Sequence, residues 1–483
     1  MNQPAVKNLG ELVESGYQSR SVREEVRENL ILAIQSKVDL FPGIVGYENT
    51  VIPQLINAIL SRHDILLLGL RGQAKTRLLR GLVQFLDEWM PAIEGSTLRE
   101  DPLNPIMPQT KERVEREGDA LPIEWIHKSE RFHEKLATPD ANMADMIGDI
   151  DPIRASREKL DLSDERVIHF GIVPRSHRGL FCVNEVPDLQ PRIQVGLLNL
   201  LEEKDVQIRG FPLRMEVDVM MLFTANPEDY TNRGRIITPL KDRIASQILT
   251  HYPDKLKDSI SIFVQESDKN RSLELNVSTF VKEIIAEIAI QGRKSDHVDQ
   301  SSGVSARLTI AAYEMLLSNM ERRHLMSGDE SIHTRLCDLY ALVPSISGKL
   351  ELVYEGQEAG ADIVAGRLIS LSIKSIFQKH FPAINDEADI WKPVTDWFNN
   401  GSQLELLDTD THSELKIKLE KVEGLRDIIE TQIIGLDESE KLLAMEIALD
   451  GLHQYSLLSK EGLGATIVYG DMFSNMMDSE GLS

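Results

Sequence analysis

A lysine and a threonine stand side by side at the end of Gly69-Leu70-Arg71-Gly72-Gln73-Ala74-Lys75-Thr76-Arg77. Those residue types at that spacing suit polyphosphate chemistry: the ammonium of Lys75 can reach β- and γ-phosphate oxygens, and the hydroxyl of Thr76 can ligate Mg²⁺. Gly69 and Gly72 let the backbone turn and come close to phosphate. The spacing Gly-x-x-Gly-x-Ala-Lys-Thr departs from a strict P-loop where Ala74 takes the place of the second glycine. A methyl costs little there if residue 74 already belongs to the helix turn, and a negative φ at Ala74 is the expectation. The candidate cradle for ATP comprises Gly69, Gly72, Gln73, Ala74, Lys75, Thr76 and Arg77.

Cleavage needs an acid beside the γ-phosphate. The apolar run Leu180-Phe181-Cys182-Val183 delivers Asn184 and Glu185 at its carboxyl end, which is where open α/β sheets hold ligands. Glu185 is the candidate base for the attacking water. Asn184 stands beside it, where an amide carbonyl can accept from a Mg²⁺-bound water without adding charge. Thr76, Asn184 and Glu185 are therefore the candidate metal ligands, although Asn-Glu after a strand is by itself more often an ordinary helix start. A second apolar run, 219–224, ends at Ala225-Asn226-Pro227, so Asn226 falls at the same edge and can orient the water. Beyond the nearby arginines Arg233 and Arg235, Arg243 could reach a neighbouring subunit's nucleotide as an arginine finger. Isolated surface arginines are more often simply solvated. Arg307 opens a further helix behind the caps Ser302 and Ser305, where it can lean over a triphosphate.

The elements that must position these groups read as an α/β core with helical additions. The run 65–68 is a buried strand, and a helix starts at the Lys-Thr pair. Residues 20–38 (Val22, Val26, Leu30, Ile31, Ile34, Val38) and the Val51, Leu55, Ile59 segment have helical spacing. From 91 to 177 prolines interrupt the pattern, which predicts short helices and loops; the acidic stretch 140–151 reads as solvated rather than as a cation loop. Residues 206–217 predict a hairpin. Residues 255–380 are mostly helical with a short strand at 350–354. Leu415, Val422, Ile429 and Leu436 recur every seven residues, a weak coiled-coil signal beside the plainer reading of a helical hairpin. The tail 462–483 is expected to fray.

Composition narrows the function classes. With 483 residues, the chain has room for roughly three domains of about 150 residues. A net charge of −24 repels nucleic acid and anionic membranes. Residues 401–483 carry 17 acidic against 6 basic side chains. The two cysteines, Cys182 and Cys337, are far apart and suit a reducing compartment. No apolar run reaches membrane-spanning length and the amino terminus is polar, so a cytoplasmic protein is expected.

The loop at 69–76, Glu185, Asn226, Asp242-Arg243 and Gly303 to Arg307 occur in the order of an AAA+ ATPase. Phe41-Pro42-Gly43-Ile44-Val45-Gly46, the Ala-Lys-Thr loop ending, Asn226-Pro227, Leu240-x-Asp242-Arg243 and Gly303-x-Ser305-x-Arg307 resemble the MoxR and magnesium-chelatase ATPase-subunit branch. The resemblance covers roughly residues 35–380. It implies a P-loop AAA+ α/β core at 39–253, preceded by a helical segment at 1–38. A helical lid at 254–382 and an acidic, mostly helical extension at 383–483 follow. It further implies that Lys75, Thr76 and Glu185 bind and cleave Mg-ATP, that Asn226 senses the γ-phosphate, that Arg243 acts across a subunit boundary, and that Arg307 contacts phosphate from the lid. A ring of about six copies acting on a protein client, or assisting metal or cofactor insertion, goes with it. Asn184 departs from the aspartate of the branch, which points to slow hydrolysis or a nucleotide-switched scaffold. No Asp-x-Ser-x-Ser motif occurs in the last third, so a von Willebrand-type partner would be a separate protein. Magnesium chelation proper is a further alternative.

Overall fold

The computed structural model describes residues 3–161, 164–208, 214–227, 234–267, 273, 275–328, 332–384, 390–462 and 464–472. The chain divides into two units, Met1–His251 and Tyr252–Ser483.

In the first unit, helices α1 (Val22–Gln35) and α2 (Val51–Leu60) precede strand β1 (Ile65–Leu68), and helix α3 (Lys75–Gly81) follows it. Strands β2 (Phe132–Leu136), β3 (Gly179–Asn184) and β4 (Val219–Ala225), helix α4 (Thr238–Arg243) and strand β5 (Ser246–Leu249) complete the framework. The five strands are parallel, in the order β5-β1-β4-β3-β2. This is the α/β parallel sheet between helices that the strand-loop-helix pattern predicts.

Because side chains alternate along a strand, each of the three central strands β1, β3 and β4 feeds two cores. Ile65, Leu67, Leu180, Cys182, Met220 and Leu222 face the helices α1, α2 and α3. Leu66, Phe181, Val183, Met221 and Phe223 face the other way, onto Ile193, Leu197 and Leu240. Strands β1, β3 and β4 are thus apolar on both faces, which is why these three segments read as continuous apolar runs. Register then fixes the site: Leu68 is level with Ala225, and Val183 with Phe223. Gly69, Asn226 and the Asn184-Glu185 pair therefore leave the sheet at one carboxyl edge.

The segment between α3 and β3 holds more strand than its prolines suggest. Trp89–Ile93 pairs antiparallel with Ile123–His127, and β2 (Phe-His-Glu-Lys-Leu) closes the sheet. An edge strand needs only one paired side and tolerates charge, so β2 lacks the apolar run that marks its neighbours. The acidic stretch builds helix caps, with Asn142 and Asp151 accepting from backbone N–H groups. Among the described residues no three His, Cys, Asp or Glu side chains cluster as a metal site. Asp205–Gln207 pairs with Arg214–Glu216 as the predicted hairpin.

The second unit is built on helices α5 (Leu256–Glu266), α6 (Thr279–Lys294), α7 (Ala306–Ser327), α8 (Ala361–His380) and α9 (Glu438–Gln454), which share one apolar core. Two expectations and one weaker alternative fail here. Residues 350–354 form no strand: Leu352 makes a lone bridge to Val298, and Tyr354 opens a short helix. The seven-residue repeat is no coiled coil: a turn ending at Gly424, φ 76°, separates helices His412–Leu419 and Leu425–Gln432, and Leu415, Val422 from the turn, and Ile429 enter the common core. The tail does not fray throughout: Thr466–Gly470 lies between Leu404–Leu407 and Ser459–Glu461 in an antiparallel sheet, with Tyr469 fully buried. Residues 473–483 lie outside the described residues. No described helix is long and apolar enough to cross a membrane.

Candidate functional site

The loop between β1 and α3 is shaped by three backbone constraints. At Gly69 a Cβ would lie 2.0 Å from Thr250 Oγ1 and 2.2 Å from Gln73 Oε1, so no other residue fits. Gly72 has φ 71°. Ala74 has φ 55° and ψ 16°, and the negative φ expected for it is wrong. The residue precedes the helix rather than belonging to it, and its methyl is carried in the left-handed region at a cost of roughly 1 kcal/mol. That cost is the physical reason a glycine suits this position.

The loop is also braced from outside. Gln73 is buried, and its Oε1 accepts from the Thr250 hydroxyl at 2.7 Å. The Tyr47 hydroxyl lies 2.9 Å from the carbonyl oxygen of Gln73 and 2.8 Å from that of His251. Tyr47 belongs to the turn-rich entry ahead of α2, which gives that stretch a structural task at the loop.

Lys75, the first residue of α3, turns back into the loop. Its Nζ donates to the carbonyl of Gly69, to the carbonyl of Leu70 at 2.8 Å, and to Asn226 Oδ1 at 2.7 Å. Thr76 Oγ1 donates to Asn184 Oδ1 at 3.2 Å. A second hydroxyl, Thr224 Oγ1, donates to the same oxygen at 3.2 Å and accepts from the Glu185 backbone N–H at 3.1 Å. Two hydrogen-bonded sets thus lie at the carboxyl edge of β1, β3 and β4: Lys75 with Asn226, and Thr76 and Thr224 with Asn184 and the Glu185 backbone. Thr76, Asn184 and Glu185 offer hydroxyl, amide and carboxylate oxygens, a hard-donor set that fits Mg²⁺.

Cys182, two strand residues below on the same face, contacts Asn184 Oδ1 through Sγ at 3.6 Å. Burial pushes its thiol up to about 12, with the Glu134 carboxylate adding to the shift and Arg80 opposing it. It stays a thiol and brings no charge to the edge.

Arg77 is exposed on α3. Arg243 ends α4, where its Nε donates to Glu202 at 2.7 Å and its Nη1 to the Pro239 carbonyl at 3.1 Å. Arg235 is exposed, and Arg233 lies outside the described residues. Arg307 belongs to the second unit, exposed in the first turn of α7, its N–H donating to Ser305 Oγ at 3.1 Å. Sequence reasoning missed Thr224 and Thr250. The signal for Thr224 was a lone hydroxyl in the strand Val-Met-Met-Leu-Phe-Thr-Ala.

No family model and no curated protein matches this sequence. Solved structures do match. NtrX from Brucella abortus is 14% identical over 62% of this chain and 56% of its own, with a TM-score of 0.35. A candidate ATPase from Cytophaga hutchinsonii is 16% identical over 73% of this chain and 96% of its own, with a TM-score of 0.30. The BchI–BchD complex of magnesium chelatase gives 17% identity over 66% of this chain and 98% of that one, with a TM-score of 0.34. This chain spans 56% of the NtrX chain's length. Superposition this loose says nothing about activity.

Proposed function

We propose that this chain is a Mg-dependent ATPase of the AAA+ class, of the MoxR and magnesium-chelatase kind that its motif order resembles. The observation that carries the reading is the convergence of Lys75, Thr76, Asn184, Glu185 and Asn226 at one sheet edge, behind a glycine-bearing loop that leads into a helix. In that arrangement the Lys75 ammonium, now satisfied by backbone carbonyls and an amide, exchanges those partners for phosphate oxygens. Thr76, with Asn184 and Glu185, would hold Mg²⁺, which spreads the charge of the β- and γ-phosphates. Glu185 takes a proton from the attacking water as its oxygen bonds to the γ-phosphorus. The bond from phosphorus to the β,γ-bridging oxygen breaks, leaving ADP and inorganic phosphate. Asn226, two residues beyond Thr224, orients the water and holds Lys75.

On the same reading the active form is a ring of about six copies, with Arg243 released from Glu202 to serve a neighbour's nucleotide. The work is done on a protein client or in metal or cofactor insertion, with a separate von Willebrand-type protein as a possible partner. ATP turnover by the purified chain, compared with Lys75→Ala, tests the proposal: wild-type turnover no higher than the variant's ends it.

One observation favours a second reading, a nucleotide switch that cleaves slowly. Asn184 is neutral, and its carbonyl already accepts from two hydroxyls, those of Thr76 and Thr224. An Asn184→Asp variant that turns over ATP no faster than wild type would count against it.

A further inference from the structure

Glu185 leaves β3 at φ 57° and ψ 49°, a conformation that a residue with a Cβ keeps only when its surroundings impose it. Part of that imposition comes from the neighbouring strand. The Glu185 N–H donates to Thr224 Oγ1 at 3.1 Å, and the same hydroxyl donates its hydrogen to Asn184 Oδ1 at 3.2 Å. One hydroxyl therefore spends its hydrogen on the amide of residue 184 and a lone pair on the backbone of residue 185. Thr224 is 2% exposed, in a strand whose other residues are Val, Met, Leu, Phe and Ala. Valine would have the same shape at that place and carries no hydroxyl to satisfy. The hydroxyl has these two partners, and both belong to the reacting edge.

We infer that Thr224 is a positioning residue for ATP cleavage, aiming the Glu185 carboxylate by fixing its backbone and holding the Asn184 amide against Thr76. The inference rests on the ATPase reading above. Strand β4 then reaches the site twice, at Thr224 for the base and the amide and at Asn226 for Lys75. Nothing in this role touches the nucleotide, so it should act on turnover and spare binding.

The test is Mg-ATP hydrolysis by the full chain as wild type, Thr224→Val, Thr224→Ser and Lys75→Ala, each across an ATP titration. Thr224→Val should lose roughly ten- to hundredfold in kcat, with KM changed by less than about twofold. Thr224→Ser, which keeps the hydroxyl, should stay within about threefold of wild type in kcat. If the valine variant does not fold, Thr224→Ala replaces it in the same comparison. The inference is overturned if the valine or alanine variant keeps wild-type kcat, if the serine variant falls as far as they do, or if KM rises as much as kcat drops. Wild-type turnover no higher than that of Lys75→Ala removes the ATPase reading and this inference with it, whereas a brisk wild type with an unaffected Thr224→Val removes this inference alone.

Discussion

Lys75 Nζ and Asn226 Oδ1 lie 2.7 Å apart, joining the first residue of α3 to the residue that follows β4. The bond spans 151 positions of sequence and brings the phosphate-binding cation within reach of the amide beside Glu185's edge. Truncating the amide leaves Lys75 its two backbone carbonyls, so nucleotide binding should survive. Asn226→Ala is expected to lower kcat roughly a hundredfold while nucleotide affinity moves by less than about threefold, as measured by steady-state kinetics beside equilibrium binding of a fluorescent ATP analogue. An equal loss in both would mean that Asn226 serves only to place the lysine.

Removing the charge of Glu185 separates binding from chemistry. Glu185→Gln should bind Mg-ATP as wild type does and turn it over about a hundred- to a thousandfold more slowly. Rapid-quench measurement of ADP formation decides the point; a near-wild-type rate would assign the base elsewhere.

Ala74 keeps a methyl in the left-handed region, so relieving it should stabilise the fold. Ala74→Gly is expected to raise unfolding free energy by about 0.5 kcal/mol, the relieved strain less the entropy of the added glycine, read as a higher denaturant midpoint at unchanged slope. A lower midpoint would show that the entropy of the added glycine outweighs the relieved strain.

His177 lies at the opposite end of the sheet, buried. Burial, with a smaller push from Arg178, drops its ring to about 3, and its Nδ1 accepts from the Asp218 N–H at 3.0 Å. A histidine held neutral in the folded state and free to protonate at about 6.5 when unfolded binds its proton only on unfolding between those values. Its contribution is thus complete above pH ~6.5 and falls by about 1.4 kcal/mol per pH unit below that. His177→Asn, whose side-chain carbonyl can take the same N–H, should flatten the stability curve between pH 6 and 4 relative to wild type; parallel curves would refute the assignment.

In the second unit, Lys460 bonds Asp450, with the two side chains 4% and 0% exposed, and Tyr340 and Tyr469 close over the pair. Breaking it from one side leaves a buried charge. Lys460→Met should cost roughly 3–5 kcal/mol, and adding Asp450→Asn should recover part of that loss. Chemical denaturation of the single and double variants provides the measurement.

What was legible in the sequence follows from burial. Strands β1, β3 and β4 are apolar on both faces, so they appear as unbroken runs whose ends point to Gly69, Asn184 and Asn226. Strand β2 sits at the sheet edge and carries His133, Glu134 and Lys135, a composition that looks like a loop. The backbone of Ala74 was misjudged because residue type alone does not say on which side of a helix start the residue falls. Thr224 escaped notice because its partners, Asn184 and Glu185, lie 40 and 39 residues away in sequence. The seven-residue repeat yields no coiled coil because the first helix stops at Leu419 and Gly424, at a positive φ, starts the next on a new course.

The Tyr47 hydroxyl faces two carbonyls, those of Gln73 in the loop and His251 at the last position of the first unit, at nearly equal distance. It has one hydrogen to give. The two carbonyls compete for that proton or share it in a three-centre bond, so whatever draws the Gln73 peptide away leaves the proton to the point where the chain departs for its second half. A single phenol is thereby a two-way arbiter, and Tyr47→Phe would leave both carbonyls without it while altering neither the loop's glycines nor its lysine.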